Sequence, residues 1–211
     1  MPSTVSGIFA GASLKPAGVV RWGTPIPESA QGVYVVALAD DVTVACASAA
    51  IPAAPLSGGA LEHLMFVRPE LRLDGAVADV DALADRLRGF WLSDEVILYI
   101  GLAGQPLRTR VRQYYRTPLG ARKPHAGGWW LKTLSVLDEL WVHYALTPDF
   151  RDAEKQMLRA FADAVSPASR DALHDHERVM PFANLRGFDD RIKLHGITGA
   201  TGGPDGKLQL P

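Results

Sequence analysis

A single cysteine, Cys46, in a chain of 211 residues rules out an intramolecular disulfide and any zinc site built on several thiolates, and it fits a reducing cytoplasm. No apolar run approaches the roughly 20 residues that a membrane helix needs. The N-terminus carries no basic stretch followed by a long apolar one, so neither a membrane span nor a signal peptide is expected. The net charge of −1 gives no global attraction for polyanions. A local absence is more telling. No Asp or Glu stands between Val96 and Leu137, and that window holds Arg108, Arg110, Arg112, Arg116, Arg122, Lys123 and Lys132. The segment before it is acidic, with Asp74, Asp79, Asp81, Asp85, Asp94 and Glu95. Such asymmetry predicts one face that attracts polyanions, against the plain alternative of a solvated helix face. Familiar catalytic loops are missing as well. Gly101-Leu102-Ala103-Gly104 lacks the third glycine and the lysine of phosphate-binding loops, and there is no G-x-S-x-G elbow. In His174-Asp175-His176-Glu177 the histidines are two apart and share no helical face, so the cluster reads as a polar surface loop.

What is present suffices for one core: 47% of the residues are hydrophobic, and the length suits one domain with an insertion. Residues 1–30 are rich in Gly, Pro and Ser and read as an N-terminal extension without long elements. Residues 31–39 (QGVYVVALA) form a strand, Asp40-Asp41 a turn, and residues 42–47 (VTVACA) a hairpin return. A loop over 49–59 and a short apolar run, Leu64–Val67, follow. Val77, Val80, Leu83, Ala84 and Leu87 recur at helical spacing and predict a helix over 77–90, after Asp74-Gly75. Val96–Ile100 is a strand and Pro106–Arg116 a helix with proline at its first position. Residues 117–128 form a basic loop, 129–137 show helix spacing, and 139–146 (ELWVHYAL) form a strand. Asp149 is a candidate N-cap for a helix running to about Val165, which Pro167 ends. A short polar helix over 169–178, the compact segment PFANLRG (181–187) and a loose tail beyond Gly196 complete the chain.

Two residues stand on the wrong face of their helices. Met157, Leu158, Phe161, Ala162 and Val165 make an apolar stripe, and Glu154, three and four residues earlier, lies on it. A carboxylate there is costly unless a cation or a metal compensates it. The alternative is a first-turn glutamate satisfied by the helix dipole or an arginine. In the arginine-rich helix, Leu107, Val111, Tyr114 and Tyr115 form the apolar stripe and Arg110 points partly toward it, whereas Arg108, Arg112 and Arg116 make a separate outward row. The outer row suits a phosphate backbone, the inner arginine a single clamped phosphate. Solvation, for the row, and an ion pair with Glu154, for Arg110, are the plain alternatives. Tyr34 and Tyr99 sit in strands, each near a glycine. His143, in a strand, reads as a core histidine.

Gly32-Val33-Tyr34 and Tyr99-Ile100-Gly101 resemble the two halves of the GIY-YIG nuclease signature, with Val in place of the first Ile. LYIGLAG followed by LRTRVRQYY is similar to that superfamily's strand, turn and arginine helix, and Glu154 and Asn184 follow in the family's order. The resemblance covers about residues 31–187, minus the segment between the tripeptides. It implies an α+β (mixed α/β) domain with a small three-stranded antiparallel sheet flanked by helices. Residues 31–187 would then be the nuclease-like domain, with a large insertion at about 42–95, and 188–211 a C-terminal tail.

The same resemblance implies hydrolysis of DNA phosphodiesters with one Mg²⁺ (or Mn²⁺). Glu154 would be the metal ligand, Arg110 the clamp on the scissile phosphate, and Tyr34 the base or water-orienting group, with Tyr99 beside it. Tyr114 matches an aromatic or histidine position, and Asn184 a bracing asparagine. A tyrosine with an ordinary pKa near 10 needs a cationic neighbour to act as a base, and Arg110, the metal, Arg108 or His125 are all open choices. Leu102 stands where many members carry lysine. The insertions resemble those of the restriction-endonuclease branch, which implies a restriction or defence role. A repair or structure-specific nuclease, a non-catalytic nucleic-acid-binding module on the same fold and a domain without a nucleic-acid role are the competing readings. Arg108, Arg112, Arg116, Arg122, Lys123, His125 and the paired tryptophans are the candidate DNA contacts. One site per chain would call for a homodimer, or two binding events, to cut both strands.

Overall fold

The computed structural model describes residues 3–44, 51, 53–121 and 126–200. In chain order its elements are α1 (Val5–Gly11), β1 (Gly18–Arg21), β2 (Gly32–Ala37), α2 (Gly58–Val67), β3 (Arg72–Leu73), β4 (Ala76–Val77), α3 (Val80–Arg88), β5 (Ile97–Ala103), α4 (Leu107–Arg116), β6 (Trp141–Leu146), α5 (Phe150–Ala164), α6 (Pro167–Asp171) and β7 (Ile197–Thr198). The class is α+β. The main sheet has the order β1-β6-β2-β5 and is antiparallel throughout; a smaller sheet has the order β4-β3-β7. Among the described residues no helix is long and apolar enough to cross a membrane.

All six residues of β2 are buried, as expected of a central strand covered on both faces. Its alternation divides the core. Tyr34 and Val36 face one cluster, with Leu107, Val111 and Tyr114 of α4 and with α2, α3 and Trp130. Val33, Val35 and Ala37 face the other, with Val5, Ile8 and Phe9 of α1 and Met157, Leu158 and Phe161 of α5. The amphipathic helices are thus placed by the stripes read in their sequences.

Several local expectations are corrected. The hairpin return at 42–47 does not form where it is described. Residues 42–44 are turn and coil, residues 45–47 lie outside the described residues, and both edges of β2 are taken by β5 and β6. A near-neighbour hairpin lost to two longer apolar strands. Asp74 and Gly75, with φ of 50° and 83°, are the turn of the β3–β4 hairpin, so the helix expected from Val77 begins only at Val80, capped by Asp79. The Leu64–Val67 run is the end of a ten-residue helix capped by Ser57. Residues 126–139 hold single 3₁₀ turns in place of a helix. Pro106 is the residue before α4, one position earlier than expected. Asp149 precedes α5 without a side-chain capping bond. Pro167 opens α6 behind the Ser166 cap, and that helix occupies 167–171. The N-terminal residues supply α1 and the edge strand β1, and beyond Gly196 the strand β7 pairs with β3.

Candidate active site

The register of β2 on β5 builds the aromatic part of the site. Tyr34 lies opposite Gly101 and Val36 opposite Tyr99, so both tyrosines rise from one face of adjacent strands. Gly101 makes this possible. A Cβ there would lie 2.5 Å from Tyr99 Cε1 and 2.9 Å from Tyr34 Cζ, so any larger residue drives one ring away. Gly32 has a parallel constraint, since its Cβ would sit 2.1 Å from the Ala145 carbonyl oxygen of β6. The two signature glycines are therefore packing requirements of a crowded sheet.

Tyr114 of α4 closes the group, its ring centroid 5.3 Å from that of Tyr99 and 6.5 Å from that of Tyr34; the Tyr34 and Tyr99 centroids are 5.8 Å apart. The Tyr34 and Tyr99 hydroxyls are hydrogen-bonded to each other. Tyr34 and Tyr114 are fully buried, whereas Tyr99 is half-buried and reaches a cavity. Burial pushes all three hydroxyls up: Tyr34 and Tyr114 well above the ordinary value, Tyr99 to about 12. Arg110 pulls each of them down, but desolvation outweighs it. The cation needed to activate a tyrosine base is thus present and insufficient by itself.

Arg110 is half-buried on α4, while Arg108, Arg112 and Arg116 are exposed, the separation its helical positions require. Among the described residues Arg110 makes no salt bridge within 4 Å, so the close ion pair with Glu154 is absent. Glu154 is half-buried in the first turns of α5. Burial pushes its carboxyl up to about 7, opposed by Arg110, by a backbone hydrogen bond from Leu102 and by Arg151, and reinforced by Asp190. Asn184 pairs with the free edge of β5 as a strand residue would: its Oδ1 accepts from Ile100 N–H at 2.9 Å and its Nδ2 donates to Ile100 O at 2.8 Å. The Ala183 N–H adds a bond to Leu98 O at 2.9 Å.

Tyr99, Glu154 and Asn184 line one cavity of about 220 Å³, whose remaining wall includes Lys155, Arg186, Gly187 and Asp190. Helical spacing alone assigns Lys155 to the solvent side, and it singles out neither Arg186 nor Asp190. The alternation of charge at the end of PFANLRG and just beyond it, Arg186 followed by Asp189, Asp190 and Arg191, is the signal that points to them. Other expectations fall differently. Arg122, Lys123 and His125 lie outside the described residues. Trp129 and Trp130 are 4% and 0% exposed and pack in the core, so neither offers a stacking surface for bases. His143 is buried, its Nε2 at 2.9 Å from the Ala39 carbonyl oxygen. Asp175 is buried, accepting from Leu194 N–H at 2.8 Å and pairing with Arg178.

Among the described residues no three of His, Cys, Asp and Glu come together to hold a metal ion. The donors at the cavity are hard oxygens, and of its two carboxylates Asp190 is paired with Lys155 and Arg186, which leaves Glu154 for an ion such as Mg²⁺ that keeps most of its shell in water and phosphate oxygens. Comparison with known proteins returns no matching family model, no matching curated protein and no matching solved structure.

Proposed function

We propose that this chain is a metal-dependent endonuclease of the GIY-YIG type that hydrolyses DNA phosphodiesters at the Glu154 cavity. What supports the reading is convergence. Tyr99, Glu154 and Asn184, from β5, α5 and the 181–187 segment, line this cavity, Tyr34 of β2 and Tyr114 of α4 pack against Tyr99, and Arg110 of α4 acts electrostatically on Glu154 and on all three tyrosines. Nothing in a purely structural core requires a half-buried arginine and a half-buried carboxylate beside three tyrosines.

In this reading Glu154 would anchor Mg²⁺ or Mn²⁺, which when bound supplies charge neutralisation at the phosphate oxygens. Arg110, held by α4, takes a non-bridging oxygen and stabilises the charge that grows as water adds to phosphorus and the P–O bond to the leaving oxygen breaks, the water's proton ending through solvent on that leaving oxygen. Tyr34 and Tyr99 stay neutral at physiological pH because burial holds their hydroxyls up. Tyr34 therefore acts as the neutral partner whose hydrogen bond fixes Tyr99, and Tyr99, at the cavity wall, orients the attacking water or a phosphate oxygen. Asn184 positions the strand that carries Tyr99.

Nicking of a supercoiled plasmid in Mg²⁺ is the test. The wild-type protein nicks it, and Glu154→Gln slows the reaction by at least about 10²-fold while DNA binding persists, the order expected for losing a charge-stabilising group. Equal rates in the two proteins overturn the assignment. Binding without cleavage in Mg²⁺ and in Mn²⁺ makes the protein a non-catalytic nucleic-acid module, the reading that the elevated tyrosine pKa values favour.

A further inference from the structure

The outer wall of the Glu154 cavity carries charges that the steps above do not use. Asp190 stands between two cations, its Oδ2 2.8 Å from Lys155 Nζ and its Oδ1 3.6 Å from Arg186 Nη1. Lys155 neighbours Glu154 on α5, whereas Arg186 and Asp190 belong to a tight turn closed by Asp190 N–H to Gly187 O at 3.2 Å and Gly187 N–H to Arg191 O at 3.0 Å. An Arg186–Ile192 bridge and a bond from Lys193 N–H to Leu185 O extend it. Fully buried Lys193 anchors the turn's far end, its Nζ bonding the carbonyls of Pro181 and Phe182 at 3.1 and 2.7 Å.

Stability does not account for the triad. Exposed ion pairs contribute about 0–1 kcal/mol, and the side chains of Lys155, Arg186 and Asp190 are 52%, 43% and 55% exposed. Asp190 also holds a φ of 63°, the left-handed region that side chains other than Gly, Asn and Asp avoid. The turn thus uses a left-handed backbone position that aspartate tolerates to set one carboxylate against two cations at the mouth of a cavity. Among the described residues Asp190 is the carboxylate paired with both cations, Asp152 acts on Lys155 from the same helix, and the exposed heads of Lys155 and Arg186 keep donors directed at solvent. That suits an anion arriving from outside, whose oxygens would replace those of Asp190.

We propose that Lys155 and Arg186 form a second phosphate subsite at this mouth, taking a phosphate adjacent to the one at Glu154 along the same nucleic-acid strand, with Asp190 as the resident anion it displaces. This rests on the nuclease reading of the cavity. The arginine presents a planar fork to two phosphate oxygens and the lysine a point charge to one. Asp190 sets both cations at the mouth and competes with the incoming phosphate. Its removal and theirs therefore act in opposite directions.

The experiment measures binding of a short mixed-sequence DNA duplex by fluorescence anisotropy over a salt series, in Mg²⁺, with Glu154→Gln as the cleavage-silent background. Arg186→Gln and Lys155→Gln each weaken binding about 3–10-fold and lower the salt slope by about one, the signature of one phosphate fewer neutralised by the protein. Asp190→Asn tightens binding by a similar factor, and asparagine tolerates the left-handed backbone, so the turn persists. Far-ultraviolet circular dichroism and melting confirm that each variant folds. Unchanged affinity and slope in Arg186→Gln and Lys155→Gln, or weaker binding in Asp190→Asn, overturns the subsite while plasmid cleavage by the wild type keeps the nuclease reading intact. Absence of both DNA binding and cleavage in the wild type overturns both.

Discussion

Strand β5 has a desolvated glutamate at each end, and the two are chemically unlike. Glu95 precedes the strand and Glu154 takes a backbone hydrogen bond from Leu102 near its close. Burial pushes both carboxyls up to about 7. Glu95 is 1% exposed and accepts the Ser3 N–H on both oxygens, at 3.2 and 3.1 Å; among the described residues its charged neighbour is Asp94. Glu154 is half-buried, walls a cavity and feels Arg110, Arg151 and Asp190. A raised pKa therefore marks a desolvated carboxylate and nothing more; what marks a candidate site is the cavity, the cations and the hydroxyl at its wall. Glu95 ties the N-terminal segment to the base of the sheet, and Glu154 is available to a ligand.

Glutamine replacement breaks the pair apart most sharply. Glu154→Gln removes at least about 10²-fold of cleavage, while Glu95→Gln, far from the cavity wall, stays within about twofold of wild type in the same plasmid assay, as expected of a change that touches no reacting group. Comparable losses in both variants would mean that β5 transmits any disturbance, and the distinction between its ends would be lost.

The next effect is on stability, and its sign follows from linkage. Both carboxyls hold their proton more tightly folded than unfolded, where the value is the ordinary 4.5. Below about pH 4.5 both states are protonated and no penalty exists; as pH rises toward 7 the unfolded chain ionises first, so folding stability falls, and above 7 the loss is complete. For Glu95, which is almost fully buried, that loss is roughly 3 kcal/mol. Glu95→Gln keeps an acceptor for Ser3 and removes the titration. In urea denaturation it is therefore more stable than wild type at pH 8, by an amount that vanishes near pH 4. A constant difference across that range would show that the glutamate's charge is not what matters.

Asn184 gives a smaller effect, at the middle of the same strand. Its two bonds to Ile100 stand in for the neighbour that the edge of β5 lacks. Asn184→Ala costs about 2 kcal/mol, the sum of two ordinary buried hydrogen bonds. It also slows cleavage, because Tyr99 is one residue away from Ile100. A stability loss with full cleavage would confine Asn184 to bracing the fold.

How legible all this was depends on the range of the signal. The strands of Tyr34 and Tyr99 and the third strand are apolar, β-branched and aromatic runs, and the helices of Arg110 and Glu154 carry a 3.6-residue period, each within a single element, so they could be read. The misplacements of Glu154 and Arg110 on their stripes were legible for the same reason. Pairing was not. Asp40-Asp41 suggested a local hairpin, but β2 satisfies both of its edges with strands about 65 and 110 residues away, a choice set by the whole core. β1 is four residues with alternating exposure, too short to stand out from its Gly- and Pro-rich surroundings. The Lys155–Asp190–Arg186 cluster joins a helix to a turn some 30 residues later, and no spacing rule connects them. Trp129 and Trp130 looked like a nucleic-acid surface because they sit in a basic loop; burial of Trp130 against Phe90 and Phe182, and of Trp129 against Trp130, removes them.

The smallest effects belong to the outward row on α4. Arg108, Arg112 and Arg116 are exposed, and Arg112 and Arg116 line a shallow cleft of about 250 Å³ with Thr109, Gln113 and Pro118. Their place on the helix that carries Arg110 ties them to the Glu154 end of the molecule rather than to the Glu95 end. If they track a phosphate backbone, each alanine replacement lowers the slope of log K against log salt by about 0.9, the value for one phosphate left to its counterions. Stability should change by less than about 0.5 kcal/mol, as for surface substitutions generally. Because the row touches phosphates away from the reacting one, the turnover rate at saturating DNA should not move, and the whole effect should fall on affinity. The triple alanine variant, compared with wild type across a salt series in the same duplex-binding assay, separates the two ends most gently. An unchanged slope would reduce the row to a solvated helix face, leaving Arg110 as the cation of α4 assigned to phosphate.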